Sequence, residues 1–231
     1  WVNTCPTDSS GRAKPSKMTF KPERLRGLYV VTPDLPDTDR LAGVVRDAIA
    51  GGGVLVQYRN KAADQRLRHR QASVLQRVCV DAGVPLVIND DLELAIAIGA
   101  AGVHVGRDDG SACAARASLG GGRLLGISCY NQIARVDDAI AAGADIVGIG
   151  AMFGSATKPA AVRAPLGLLG EARARGAMVA AIGGISLENA PELIRAGADL
   201  LAVISDLFDN SDVAARAADY AKLFASMEPC A

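Results

Sequence analysis

The sequence predicts a single (β/α)8 barrel, a TIM barrel, from three observations. Short apolar runs recur eight times between Leu28 and Ile204. Stretches with helical spacing lie between them. Several of those stretches end in glycine directly before the next run, as in Ala82-Gly83-Val84 and Ala196-Gly197-Ala198-Asp199. Strand, helix, glycine, strand, repeated over roughly 200 residues, is the pattern of a parallel sheet closed by helical crossovers. No G-x-G-x-x-G follows the first run, which leaves an open doubly wound sheet with less support.

Residues 1–26 are polar, with Pro6, Pro15 and Pro22 set among Ser, Thr and Lys. They read as a disordered tail or an added leader, with Met18 a candidate start. The barrel is expected over 27–226 and a C-terminal tail over 227–231. Strands are expected at Leu28–Thr32, Val54–Tyr58, Leu86–Asn89, Val103–Val105, Leu124–Ser128, Asp145–Ile149, Met178–Ile182 and Leu200–Ile204. Runs this short, bounded by glycine or turn residues, suit buried strands. Leu41, Val44, Val45, Ala48 and Ile49 form one helical stripe, and Leu67, Val74, Leu75 and Val78 a second. Ile133, Val136, Ala139 and Ile140 form a third, and Ala190, Leu193 and Ile194 a fourth.

Composition narrows the function. Half of the 231 residues are hydrophobic and the net charge is zero. A neutral chain does not suit a nucleic-acid or anionic-membrane surface as its main partner. No apolar run is long enough to span a membrane. Cys5, Cys79, Cys113, Cys129 and Cys230 are odd in number and scattered, so neither a disulfide framework nor a zinc site is expected, and the reducing cytoplasm is the natural compartment. With His69 and His104 as the only histidines, a multi-histidine metal site cannot be built. A homo-oligomer stays open.

Active sites of this fold sit on the loops after the strands. After the second strand, alternation points Gln57, Arg59 and Lys61 the same way. An amide and two cations continuing a buried strand call for an anion. After the third and fourth come Asn89-Asp90-Asp91 and Gly106-Arg107-Asp108-Asp109. Asp91 and Asp108 read as helix caps. Asp90 and Asp109 read as a carboxylate pair sharing Mg2+. His104 reads as a satisfied core histidine. Ser128 is either a donor to a substrate oxygen or a helix cap, with Asn131 a competing cap. Cys129 has no visible base and is not expected to be a nucleophile. The loop Gly154-Ser155-Ala156-Thr157-Lys158 joins two hydroxyls and an ammonium after the sixth strand. Gly183-Gly184 and Ile204-Ser205, after the seventh and eighth, occupy the usual phosphate corner of the fold. Two anionic subsites emerge. Arg59, Lys61, Lys158 and Mg2+ suit a diphosphate, and Gly184 with Ile204-Ser205 suits a monophosphate. No Ser–His–Asp set is visible, so the chemistry should need leaving-group stabilisation more than proton abstraction.

These segments, Q-Y-R-N-K at 57–61, N-D-D at 89–91, G-V-H-V-G-R-D-D at 102–109, G-I-S-C-Y-N at 126–131, S-A-T-K-P at 155–159, I-G-G-I at 182–185 and V-I-S at 203–205, resemble the thiamine phosphate synthase family. The resemblance runs from Leu28 to about Phe224. It implies a transferase of thiamine biosynthesis with two phosphorylated small-molecule substrates. Hydroxymethylpyrimidine diphosphate would lose pyrophosphate to a pyrimidinylmethyl cation, which thiazole phosphate would trap to give thiamine phosphate. By that resemblance Gln57, Arg59, Lys61, Asn89, Ser128 and Lys158 hold the pyrimidine diphosphate, and Arg59, Lys61, Ser128 and Lys158 carry catalysis. Asp90 and Asp109 bind Mg2+, and Ser155, Thr157, Gly184, Ile204 and Ser205 hold the thiazole phosphate. Many members carry threonine where Ser155 stands and glutamine where Arg107 stands. Two rival readings are a thiazole tautomerase of the same superfamily and a non-catalytic barrel that binds a phosphorylated ligand. The tautomerase should lack the diphosphate and metal residues, which are present here.

Overall fold

Alternation along each strand sends one set of side chains into the barrel and the other toward the helices, so two apolar layers form. The computed structural model describes residues 25–106, 111–154 and 162–227. Its strands are β1 (Gly27–Val31), β2 (Gly53–Tyr58), β3 (Leu86–Asn89), β4 (Gly102–Val105), β5 (Leu124–Tyr130), β6 (Ile146–Ile149), β7 (Met178–Ile182) and β8 (Leu200–Val203). Consecutive strands pair in parallel and β8 returns to β1, closing the barrel. The helices are α1 (Thr38–Ala50), α2 (Gln65–Ala82), α3 (Leu92–Ala97), α4 (Ala112–Leu119), α5 (Ile133–Ala141), α6 (Gly167–Ala174), α7 (Ala190–Arg195), α8 (Ser205–Phe208) and α9 (Val213–Ser226).

Each strand ends within a residue of its expected limits except β5, which continues to Tyr130 through a register shift against β6. Tyr29, Leu55, Leu124, Ile146 and Leu200 fill the barrel interior. Leu28, Val56, Ile88, Val103, Val147 and Leu201 face outward, onto the helix stripes. Leu41, Val45 and Ala48 of α1 are buried there, as are Leu75 and Val78 of α2 and Leu193 and Ile194 of α7. Val136 and Ala139 of α5 are buried too, while Ile140, at the edge of its stripe, is exposed. Gly83 closes α2 at φ +68°, a conformation that a Cβ would strain. At the exit of α1 the left-handed residue is Gly52, and Gly51 instead makes room for α9, where a side chain would strike Ala214 and Ala217.

The bottom of the barrel is tied by two Ala-Gly-Ala-Asp segments. Asp145 accepts the Leu125 N–H at 2.8 Å and the Arg116 guanidinium. Asp199, 1% exposed, accepts the Val179 N–H at 2.9 Å and faces Arg173 at 3.7 Å. Arg26 stacks over Phe224 and donates to its carbonyl at 2.7 Å, which fastens α9 to the start of β1. Among the described residues no helix is long and apolar enough to cross a membrane.

Candidate active site

The strand ends open on a cavity of about 1070 Å³. Gln57 near the end of β2, and Arg59 and Lys61 in the segment that follows it, all line it. Gln57 is buried, and its Nε2 donates to the Tyr29 hydroxyl at 2.6 Å. Burial raises the Tyr29 hydroxyl far above the ordinary tyrosine range, so it stays neutral. Arg59 is held from below and from the side. Its backbone N–H donates to Thr32 Oγ1, which in turn donates to the Arg59 carbonyl, both at 2.8 Å. Its guanidinium reaches Asp34 at 3.2 Å, and the same carboxylate oxygen accepts the Lys61 N–H at 3.0 Å.

β3 delivers Asn89 and Asp90 to the same cavity. Asp90 sits at φ +62°, a left-handed conformation for a residue with a side chain. Its N–H donates to the His104 carbonyl at 2.8 Å, which ties it to β4. Asn89 Nδ2 donates to Asp90 Oδ2 at 2.6 Å, and Lys61 Nζ lies 3.8 Å from that oxygen. Asp91 turns away and caps α3 through the Leu94 N–H at 2.9 Å, the role its position suggests. Hard carboxylate oxygens beside a cavity suit Mg2+, and Asp90 supplies them. Among the described residues no cluster of three metal-ligating side chains is present. Arg107, Asp108 and Asp109 lie outside the described residues, as do Ser155, Thr157 and Lys158.

His104 is buried, as a core histidine should be, but it faces the cavity, with Nε2 3.1 Å from Ser128 Oγ. Gly126 and Gly148 on the next two strands make room for it, since a Cβ on Gly126 would overlap the imidazole. That run of inward glycines beside a strand histidine is the signal that could have found it. Ser128 is a cavity residue and not a cap; the N-cap of α5 is Gln132. Cys129 points outward, and burial pushes its thiol up to about 12, as it does for Cys79. At pH 7.5 a thiol reagent should modify exposed Cys113 in the folded protein and reach Cys79 and Cys129 only on unfolding, as peptide mapping would report.

The opposite wall is made by β7, β8 and their loops. Gly184 takes φ +61°, and Phe153 and the Gly154 carbonyl lie where its Cβ would stand. Asn189 braces this turn, donating to the Gly184 carbonyl and accepting the Ser186 N–H, both at 2.9 Å. Ile204 and Ser205 line the cavity where α8 begins. Asp206, bonded to the Tyr220 hydroxyl at 2.6 Å, and Arg216 also line it. The spacing of the chain gave no sign of these, because Tyr220 and Arg216 come from α9. Gln57, Arg59, Lys61, Asn89, Asp90 and Ser128 thus share one cavity with Gly184, Ile204 and Ser205. Two cations beside a carboxylate, facing a glycine turn and a hydroxyl, can hold two phosphorylated groups in one space.

Comparison with known proteins identifies the family. Residues 28–207 match the family model described as thiamine monophosphate synthase. A thiamine-phosphate synthase of Azoarcus sp. (strain BH72) is 57% identical over 204 residues, covering 88% of this chain and 99% of that protein. One from Bordetella pertussis (strain Tohama I) is 49% identical, covering 86% and 94%. The solved structure of a thiamine phosphate pyrophosphorylase from Pyrococcus furiosus superposes with a TM-score of 0.77 at 26% identity, covering 91% of this chain and 98% of that one.

Proposed function

This chain belongs to the thiamine monophosphate synthase family, and from that premise we propose that it joins 4-amino-2-methyl-5-hydroxymethylpyrimidine diphosphate to 4-methyl-5-(2-phosphoethyl)thiazole, giving thiamine phosphate and pyrophosphate. The observation that carries the reading is the shared cavity, with Arg59, Lys61 and Asp90 on one wall and Gly184 and Ser205 on the other. Gln57, Asn89 and Ser128, with Arg59, Lys61 and Lys158, hold the pyrimidine diphosphate. Gly184, Ile204 and Ser205, with Ser155 and Thr157, hold the thiazole phosphate. Both substrates are small molecules, and the reducing cytoplasm suits the free cysteines.

The bond between the methylene carbon and the diphosphate oxygen breaks, and the oxygen keeps the electron pair. The thiazole nitrogen donates its lone pair to the carbon, so no proton moves. Arg59 and Lys61 stabilise the departing charge more strongly than the esterified diphosphate, which lowers the barrel's barrier to bond cleavage. Gln57, Ser128 and the glycine turn fix the two partners in line. Asp90 and Asp109 would hold Mg2+, which supplies further charge neutralisation at the pyrophosphate when bound.

The test is pyrophosphate release with both substrates, with and without Mg2+. Arg59→Ala should lower kcat/KM by roughly a hundredfold through the diphosphate substrate. A parent protein that binds both substrates and releases no pyrophosphate would instead be the non-catalytic binding barrel.

A further inference from the structure

The cations that follow β2 stand on a buried polar scaffold outside the cavity. Arg59 and Lys61 line the cavity, while Tyr58, the last residue of β2, and Asn60 turn toward the helix layer, where α2 presents Gln71. Gln71 is fully buried and Asn60 is 6% exposed. The Asn60 amide donates to Gln71 Oε1 and to the Leu35 carbonyl, both at 3.0 Å. The Tyr58 hydroxyl donates to the same Gln71 oxygen at 2.9 Å, and Gln71 Nε2 donates to the Leu35 carbonyl at 2.8 Å. Asn60 Oδ1 accepts the Ala62 and Ala63 N–H groups, at 3.2 and 3.1 Å, and so shapes the turn that carries Lys61. Buried amides tolerate few other arrangements, because each broken bond leaves a polar group without water.

We propose that Asn60 and Gln71 are positioning residues for diphosphate recognition: they lock the backbone between Arg59 and Lys61 so that both cations meet one ligand. Neither side chain lines the 1070 Å³ cavity. This rests on the reading of the cavity given above. Each residue acts on the cationic wall and not on the glycine turn across the cavity. Their loss should therefore affect one substrate and spare the other.

The experiment compares the full chain with Asn60→Ser and Gln71→Met. Inorganic pyrophosphate with Mg2+ is titrated calorimetrically, and KM is measured for each substrate with the other saturating. We expect pyrophosphate affinity to fall and the KM for the pyrimidine diphosphate to rise, each about tenfold, since small displacements of positioning groups cost this much or more. The KM for thiazole phosphate should stay within about twofold, and in an Arg59→Ala background Asn60→Ser should add less than about twofold, as expected for coupled residues. Asp145→Asn, at the far end of the barrel, should lower Tm without changing either KM. Equal rises in both KM values, unchanged pyrophosphate affinity with only a lower Tm, or no pyrophosphate binding by the parent would each overturn the proposal. A parent that binds pyrophosphate but does not join the substrates would defeat the condensation reading, while the titration still decides the positioning role. Should Gln71→Met not fold, Asn60→Ser carries the test, because its hydroxyl can still accept the turn N–H groups.

Discussion

Asp90→Gly should release pyrophosphate at least about a hundredfold more slowly than the parent while melting within a few degrees of it. The two halves of that result have separate physical sources. The left-handed backbone of Asp90 costs a non-glycine residue about 1 kcal/mol or more, and glycine removes that strain. Glycine gives back about 0.5–1 kcal/mol through the freedom it gains in the unfolded chain. The substitution also removes the Asn89 hydrogen bond to the carboxylate, worth about 1 kcal/mol, and the contact to Lys61, 3.8 Å long between partly exposed groups, which is worth little. Stability therefore changes by a small net amount. Activity does not share this cancellation, because the carboxylate is what would hold Mg2+ beside the leaving group. Circular-dichroism melting and a pyrophosphate-release assay read the two halves independently. Parent-like turnover by Asp90→Gly would rule out Asp90 as a Mg2+ ligand.

Asp199→Ala should have the opposite profile, with a large loss of stability and little change in the turnover of the protein that remains folded. Asp199 is buried at the bottom of the barrel and bridges the Val179 N–H and Arg173. Removing it orphans the buried Val179 N–H and takes away the carboxylate facing Arg173, for a loss of about 3 kcal/mol. In a chain of this size that lowers Tm by about 10 °C. Its counterpart Asp145 is about one-third exposed, so water can replace part of what is lost, and Asp145→Ala should cost less. Denaturant titration of both variants, with kcat and KM at 25 °C, checks the difference. A smaller loss for Asp199 than for Asp145 would contradict it.

The barrel was legible because its signals are local. Each strand announces itself by a short apolar run, and Gly83 or Gly197 marks a helix end by a conformation that other residues avoid. Cationic and acidic strand ends were legible for the same reason, since Arg59, Lys61 and Asp90 each follow directly on an apolar run. What sequence could not show is pairing between distant loops. Asp34 lies 25 residues before Arg59, and nothing in its local sequence says that it meets the guanidinium. Tyr29 lies within the apolar run of β1, and only the closed barrel brings its hydroxyl against Gln57. His104 was read as core because burial is the ordinary fate of a strand histidine; the absent side chains at Gly126 and Gly148 are what turn its ring toward the ligand space.

The two-sided use of β2 also sets a limit on how this protein can vary in length. Between Val56 and Lys61 odd-numbered positions belong to chemistry and even-numbered ones to architecture. Deleting or inserting one residue within β2, before Tyr58, would exchange the two assignments at once, turning guanidinium and ammonium groups toward the helix layer and Tyr58 and Asn60 toward the ligand space. Single substitutions leave that division in place, whereas a change of length within the strand overturns it.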